Sequence, residues 1–234
     1  MSVRALLIDD ERLARRELRR LLEAHPEIEI IGEATNVKEA LEQIEANEPD
    51  LLLLDIEMPD GTGFDLLAQL DQLPQVIFTT AWNSHALKAF EVNALDYLVK
   101  PIDPRRLASA LKRAHATPRA QGSHKYIDQV FVRDGEHCWF LKLSTVPLLE
   151  SEGNYTRIHV EGRHPMVNRS LNYLEERLDP EVFFRASRQQ IINLTAIAGM
   201  ESGPEGRLIA RLESGQEIEM SRRQTQRFKD RMSP

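Results

Sequence analysis

The sequence predicts an α/β chain, with a doubly wound, five-stranded parallel sheet in its first half and a mostly β second half. Three observations carry this. Short apolar runs recur through the first half with amphipathic segments between them. A polar stretch containing Pro118 and Gly122 interrupts the chain near residue 120. Beyond it, alternation of apolar and polar residues replaces the helical period.

In order, the apolar runs are "ALLI" (5–8), "IEIIG" (28–32), "LLLLD" (51–55), "QVIFTT" (75–80) and "DYLVK" (96–100). Five strands alternating with helices give a parallel sheet covered on both faces. In the first amphipathic segment Leu13, Ala14, Leu18, Leu21 and Leu22 are expected on one stripe. Arg12, Arg15, Arg16, Arg19 and Arg20 fill the other face, partly paired with Glu11 and Glu23. "DPRRLASALKRAHA" closes the half as a fifth helix, and "TPRAQGSHK" reads as a linker. In the second half "QVFVRD", "HCWFLKL", "YTRIHV", "RLIARLES" and "QEIEMS" read as strands, separated by turn signals such as "SEGN" and "ESGQ". Only "SLNYLEERL" and the C-terminal segment read as helices there. The expected domains are residues 1–117, a linker over 118–127, and residues 128–234.

Composition narrows the function classes. The apolar runs are strand-sized, and the N-terminus reaches Asp9 and Asp10 too early for the apolar core of a signal peptide, so no membrane insertion is expected. A single cysteine, Cys138, permits neither an intrachain disulfide nor a multi-cysteine zinc site, and a cytoplasmic setting follows. The seven histidines form no HExxH pair. Residues 1–120 carry a net charge of −7, whereas residues 121–234 balance to zero. Within that balanced half, "SRRQTQRFKDR" sets five basic residues against one acid, a patch able to meet phosphate.

The carboxyl ends of the predicted parallel strands gather the chemistry, because ligands of open α/β sheets bind there. Asp9 and Asp10 follow the first strand, Asp55 ends the third, Thr79 and Thr80 end the fourth, and Lys100 follows the fifth. Three carboxylates on one edge need a cation, and Mg²⁺ suits a partial oxygen cage. With Lys100 and a threonine hydroxyl added, the set describes a place where Asp55 receives a phosphoryl group. "DGTGFD" lacks the third glycine of a dinucleotide loop. A haloacid-type phosphatase would account for Asp55 and Glu57, but not for the acidic pair after strand one.

"LLIDDE", "LLLLDIEMPDGTGFDLL", "VIFTTA" and "ALDYLVKPI" resemble the receiver domain of two-component response regulators, over about the first 117 residues. The resemblance implies a flavodoxin-like fold and a regulator rather than an enzyme, with a sensor histidine kinase as phosphodonor. Position by position it implies Asp55 as phosphoacceptor. Mg²⁺ would be held at Asp9, Asp10, Asp55 and the main-chain carbonyl of Glu57, with Thr80, Tyr97 and Lys100 as switch residues. Trp82 would screen the phosphoryl group from water. Homodimerisation on phosphorylation is implied through helices over 83–92 and 103–116.

"VPLLESEGNYTRIHV", "SLNYLEERL", "FFRASRQQIINL" and "IEMSRRQTQRFK" resemble the LytTR DNA-binding domain of LytR/AlgR-class regulators. This implies double-stranded promoter DNA as partner, met by loops and strand ends. Asn154, Tyr155 and Arg157 would form one contact group, Arg188 the middle one, and Arg222 with Arg223 the other end. The family often has histidine where this chain has Ser187. The balanced charge leaves a rival reading open, a phosphorylation-dependent adaptor whose β domain binds protein.

Overall fold

The computed structural model describes residues 2–81, 94–116, 126–134, 137–160 and 162–232. The chain divides into two compact units, residues 1–123 with 135–140, and residues 124–134 with 141–234. Trp82, the expected helix over 83–92 and most of the expected linker lie outside the described residues, as does the side chain of Trp139.

In the first unit, strands β1 (Val3–Ile8), β2 (Ile28–Ala34), β3 (Leu51–Asp55), β4 (Gln75–Thr80) and β5 (Asp96–Val99) form one parallel sheet in the order β2-β1-β3-β4-β5. Helices α1 (Arg12–Leu22), α2 (Val37–Asn47), α3 (Gly63–Leu67) and α4 (Pro104–Ala116) intervene or follow. The four leucines of β3 are fully buried. Leu51 and Leu53 join Ala5, Leu7, Leu18, Leu22, Ile77, Leu98, Leu107 and Leu111 in one core, while Leu52 and Leu54 alternate to the opposite face. Burying each leucine stabilises the unit by about 1.5–3 kcal/mol, which fixes the strand's register. That register sets Ile8 beside Leu54, Asp55 beside Thr79 and Thr80 beside Val99, so the strand ends share one edge.

Leu13 departs from the expected stripe and is 77% exposed. At 3.6 residues per turn it lies about 140° around α1 from buried Leu18, on the far side of the helix. The loop after Asp55 also holds more order than its turn residues suggest. Glu57–Met58 pairs antiparallel with Gly61–Thr62, and Thr62 and Asp65 form a reciprocal capping box at the start of α3. Asp60 reaches back to α2, accepting from Val37 N at 2.8 Å and Lys38 N at 3.1 Å.

An antiparallel hairpin comes next, β6 (Gln129–Asp134) and β7 (His137–Lys142), and the main body of the second unit follows it. A five-stranded sheet is built from β8 (Leu148–Glu152), β9 (Tyr155–His159), β10 (Met166–Val167), β11 (Phe183–Arg185) and β12 (Gln190–Asn193), in the order β10-β9-β8-β12-β11. A three-stranded meander follows, β13 (Ile197–Ser202), β14 (Leu208–Leu212) and β15 (Glu217–Glu219), and helices α5 (Leu171–Glu175) and α6 (Arg222–Met232) complete the unit. Leu148, Phe184, Ile192, Leu212, Ile218, Met220 and Phe228 form its core, with the rings of Phe184 and Phe228 edge to face at 5.2 Å. Among the described residues no helix is long and apolar enough to cross a membrane.

Candidate functional site

The strand register delivers the predicted acidic residues to one pocket. Asp9, Asp10 and Asp55 each bring a carboxylate oxygen within 4.8 Å of the others. Asp9 is fully buried, Asp55 nearly so, and Asp10 is exposed. Lys100 Nζ donates to Asp55 Oδ2 at 2.6 Å and lies 2.8 Å from Asp9 Oδ2, with Glu11 Oε2 at 4.0 Å. The other oxygens of the two buried carboxylates accept main-chain amides, Asp55 Oδ1 from Ile56 N at 2.6 Å and Asp9 Oδ1 from Glu11 N at 3.0 Å.

One ammonium cannot neutralise three carboxylates. Burial pushes the Asp9 carboxyl above its ordinary range; Lys100 opposes this and the Asp55 charge adds to it. Burial alone would lower Lys100, but the hydrogen bond and charge of Asp55, with Asp9, outweigh it and hold the ammonium above its usual value. The pocket therefore keeps its lysine charged and still carries surplus negative charge. Asp9 Oδ2 is buried and aligned for no hydrogen bond, with Lys100 Nζ as its ion-pair partner. An all-oxygen donor set with a spare buried lone pair suits a small hard cation. Glu57 stands two residues beyond Asp55, in the short hairpin, and is exposed. The glycine of "GTG" nearest that loop has a packing reason, since a Cβ on Gly63 would stand 2.5 Å from the main-chain oxygen of Asp55.

Thr80 is buried at the end of β4, and the neighbouring Thr79 is fully buried. Tyr97 is half-buried on β5, its ring stacked on Phe78 of β4 at 5.3 Å, and burial raises its phenol well above the usual value. The Lys100–Pro101 peptide is cis.

Arg15 belongs to this site although nothing in its helical pattern marked it. It does not share a solvated face with the other arginines. Its guanidinium donates to the carbonyls of Asp9 at 2.6 Å and Asp10 at 3.3 Å, and to Glu33 Oε2 on β2 at 3.0 Å. Arg19 also pairs with Glu33, at 2.5 Å. Glu33 thus replaces Glu11 and Glu23 as the partner of this helix. The sequence trace is faint, an arginine about one helical turn beyond the acidic pair and Glu33, the second of two acids on β2.

In the second unit the basic residues assemble around a groove of about 590 Å³. Arg188, Arg222 and Arg223 line it together with Arg185, Arg227 and Ser187. Asn154, Tyr155 and Arg157 lie elsewhere, on the turn and strand of the β8–β9 hairpin, where Tyr155 and Arg157 share the outer face while Thr156 and Ile158 point inward. The three groups are nonetheless joined through main-chain bonds. Ser151 N donates to Gln189 O at 2.8 Å, and Ser221 N to Ala186 O at 3.0 Å, so the turn carrying Arg188 is tied to both flanks. Acids temper the charge. Arg157 pairs with Glu152, Arg185 with Glu175 at 2.8 Å, and Arg222 with Glu205 at 2.7 Å, which explains how a neutral half can present a basic face. Ser187 turns inward, its hydroxyl accepting from Gln189 N at 3.2 Å.

Comparison with known proteins agrees with both halves. The response regulator receiver domain family matches residues 5–112, and the LytTr DNA-binding domain family matches residues 136–233. Over 97% of both chains, the protein is 35% identical to an uncharacterized response regulatory protein of Vibrio cholerae. It is 31% identical to the sensory transduction protein LytT of Enterococcus faecalis, over 97% of this chain and 98% of that one. It is 32% identical to the transcriptional regulatory protein BtsR of Escherichia coli, with the same coverage. The chain belongs to the two-component response regulators of the LytR/AlgR class, transcription regulators that join a receiver domain to a LytTR DNA-binding domain.

Proposed function

We propose that residues 1–117 receive a phosphoryl group on Asp55 from a sensor histidine kinase, and that residues 128–234, joined by a linker over 118–127, bind promoter DNA in the cytoplasm. The observation that carries this reading is the position of Lys100, shared between Asp55 and Asp9 at the sheet edge. In the transfer a carboxylate oxygen of Asp55 attacks phosphorus, the bond to the donor histidine nitrogen breaks, and that nitrogen leaves with the electron pair. Lys100 is placed to meet the phosphoryl oxygens, and Thr80 supplies a hydroxyl on the same edge. Asp9, Asp10, Asp55 and the carbonyl of Glu57 would hold Mg²⁺, which supplies neutralisation of phosphoryl charge when bound.

The product adds close to two negative charges beside Lys100. Thr80 and Lys100 answer it, Tyr97 follows, and residues 83–92 and 103–116 form the face of a homodimer. Two protomers then place Asn154, Tyr155, Arg157, Arg188, Arg222 and Arg223 on DNA, at sites spaced by about 10 bp or a multiple of it. The test is selection from random DNA fragments by the full chain and by Asp55→Asn, with and without a small phosphodonor and Mg²⁺, with sedimentation run in parallel. Wild type should gain an acyl phosphate that is labile in both acid and alkali, sediment as a dimer and enrich one sequence, while Asp55→Asn does none of these. A substituted protein that takes up phosphate equally would overturn the assignment.

A further inference from the structure

Resting on that reading of Arg188, a second arginine in the groove has a different task. The side chain of Arg185 on β11 is only 10% exposed, so it cannot itself serve as an open DNA contact. Its guanidinium is taken up by three protein oxygens. Nε donates to Ser187 O at 2.6 Å, Nη2 donates to Arg188 O at 2.5 Å, and Nη1 donates to Glu175 Oε2 on α5 at 2.8 Å. One planar fork thus takes two consecutive carbonyls of the turn, with a carboxylate from another element as its anchor. The turn's other bonds, Ala186 N and Ser187 N to Gln190 O and Gln189 N to Ser187 Oγ, engage amides, so Arg185 is the donor that meets these two carbonyls.

We propose that Arg185, anchored by Glu175, is a positioning residue for DNA recognition: it fixes the peptide planes of Ser187 and Arg188 and so sets the direction in which Arg188 leaves the turn. It has a second effect of the same sign. Carbonyl oxygens at the rim of a groove meant for phosphate are repulsive, and Arg185 covers two of them with donors. The geometry also accounts for serine at position 187. With its hydroxyl accepting from Gln189 N inside the turn, Ser187 contributes to the turn's shape, and reading falls to Arg188. Lysine cannot replace this arginine, since an ammonium offers no coplanar pair of donors for two adjacent carbonyls and a carboxylate at once.

The test uses the full chain on its selected DNA fragment and on single-base variants of it, across a range of salt. Arg188→Ala marks the base position that Arg188 reads, with an expected loss of roughly tenfold in discrimination there. Arg185→Lys should lose discrimination at that same position while keeping the salt slope of the wild type, because the net charge is unchanged. Glu175→Gln, which keeps the arginine and weakens only its anchor, should give a smaller loss at the same position and stands in if Arg185→Lys fails to fold. Arg185→Lys or Glu175→Gln proteins that fold and discriminate like the wild type at the marked position overturn the proposal, with the reading of Arg188 intact. If Arg188→Ala changes no position, the contact reading itself fails and the proposal falls with it.

Discussion

Lys100 Nζ donates to Asp55 Oδ2 at 2.6 Å, joining the end of the fifth strand to the end of the third across 45 residues of sequence. The bond holds the Asp55 carboxylate in place and partly neutralises the acidic cluster of Asp9, Asp10 and Asp55. Lys100→Met should therefore leave Asp9 and Asp55 buried without their cation and lower the stability of the first unit by about 3 kcal/mol, the scale of a broken buried pair. Thermal unfolding in chelator would measure it; a melting temperature equal to wild type would show that the pair is not a buried one.

Asp9 contributes the opposite way. Its carboxyl is held above the usual range because burial and the nearby Asp55 charge both disfavour the anion. Asp9→Asn should raise the unfolding temperature in chelator, since an amide removes the repulsion, and should abolish the further rise that Mg²⁺ gives the wild type. Stabilisation of the variant by Mg²⁺ to the wild-type extent would exclude Asp9 from the cation site.

Arg15 braces the acidic pair from behind through the carbonyls of Asp9 and Asp10. Arg15→Ala removes the donor from those carbonyls and leaves Glu33 to Arg19, at a cost of about 1.5–3 kcal/mol for hydrogen bonds to a charged group. The Mg²⁺ dissociation constant, followed by the thermal shift it produces, should rise several-fold. Glu33→Gln, which retains the arginine, should reproduce the effect in weaker form; unchanged Mg²⁺ affinity in both would confine Arg15 to helix packing.

His159 makes the second unit sensitive to acid. Burial lowers its imidazole below the ordinary value, with His164 and Arg157 acting in the same direction and Glu150, at 3.2 Å, opposing them. The folded protein thus binds fewer protons at this site than the unfolded chain, and stability falls as the pH drops below about 6.5 toward the folded value. Nuclear magnetic resonance should find a His159 midpoint below that of an exposed histidine. In His159→Asn, the unit's resistance to denaturant at pH 5.5 should lie closer to its resistance at pH 8 than in the wild type.

Arg223 and Lys229 are both exposed on α6 but differ in chemistry. Arg223→Ala should cost about 1–3 kcal/mol on the selected DNA and relax preference at one base position. Lys229→Ala should weaken all sequences alike and flatten the salt dependence. Equal weakening of every sequence by both would make Arg223 a phosphate anchor.

The receiver was legible because its inner strands are buried on both faces and the chain turns polar or charged where strands end, so "LLLLD" announces the core and, with "DYLVK", the edge. Leu13 misled because it adjoins Ala14 in sequence while facing away from Leu18 in space. Arg15 and Glu33 were illegible as partners, since no periodicity links a helix position to a strand 18 residues on. In the second unit, β8 and β12 escaped detection for a related reason. They are inner strands, and Leu148–Leu149 and Ile191–Ile192 place apolar residues side by side where a half-exposed strand would alternate. Of the groove, resemblance supplied Arg188, Arg222 and Arg223, whereas Arg185 could not be read, because only the fold brings two carbonyls and Glu175 within its reach.

The bonds from Ser151 to Gln189 and from Ser221 to Ala186 have a calorimetric consequence. Because hairpin, turn and helix are already joined through main-chain bonds before any nucleic acid arrives, association spends little of its free energy on ordering polypeptide. The heat capacity change on binding should then scale with the apolar surface the two partners cover, without the large excess that marks folding coupled to recognition.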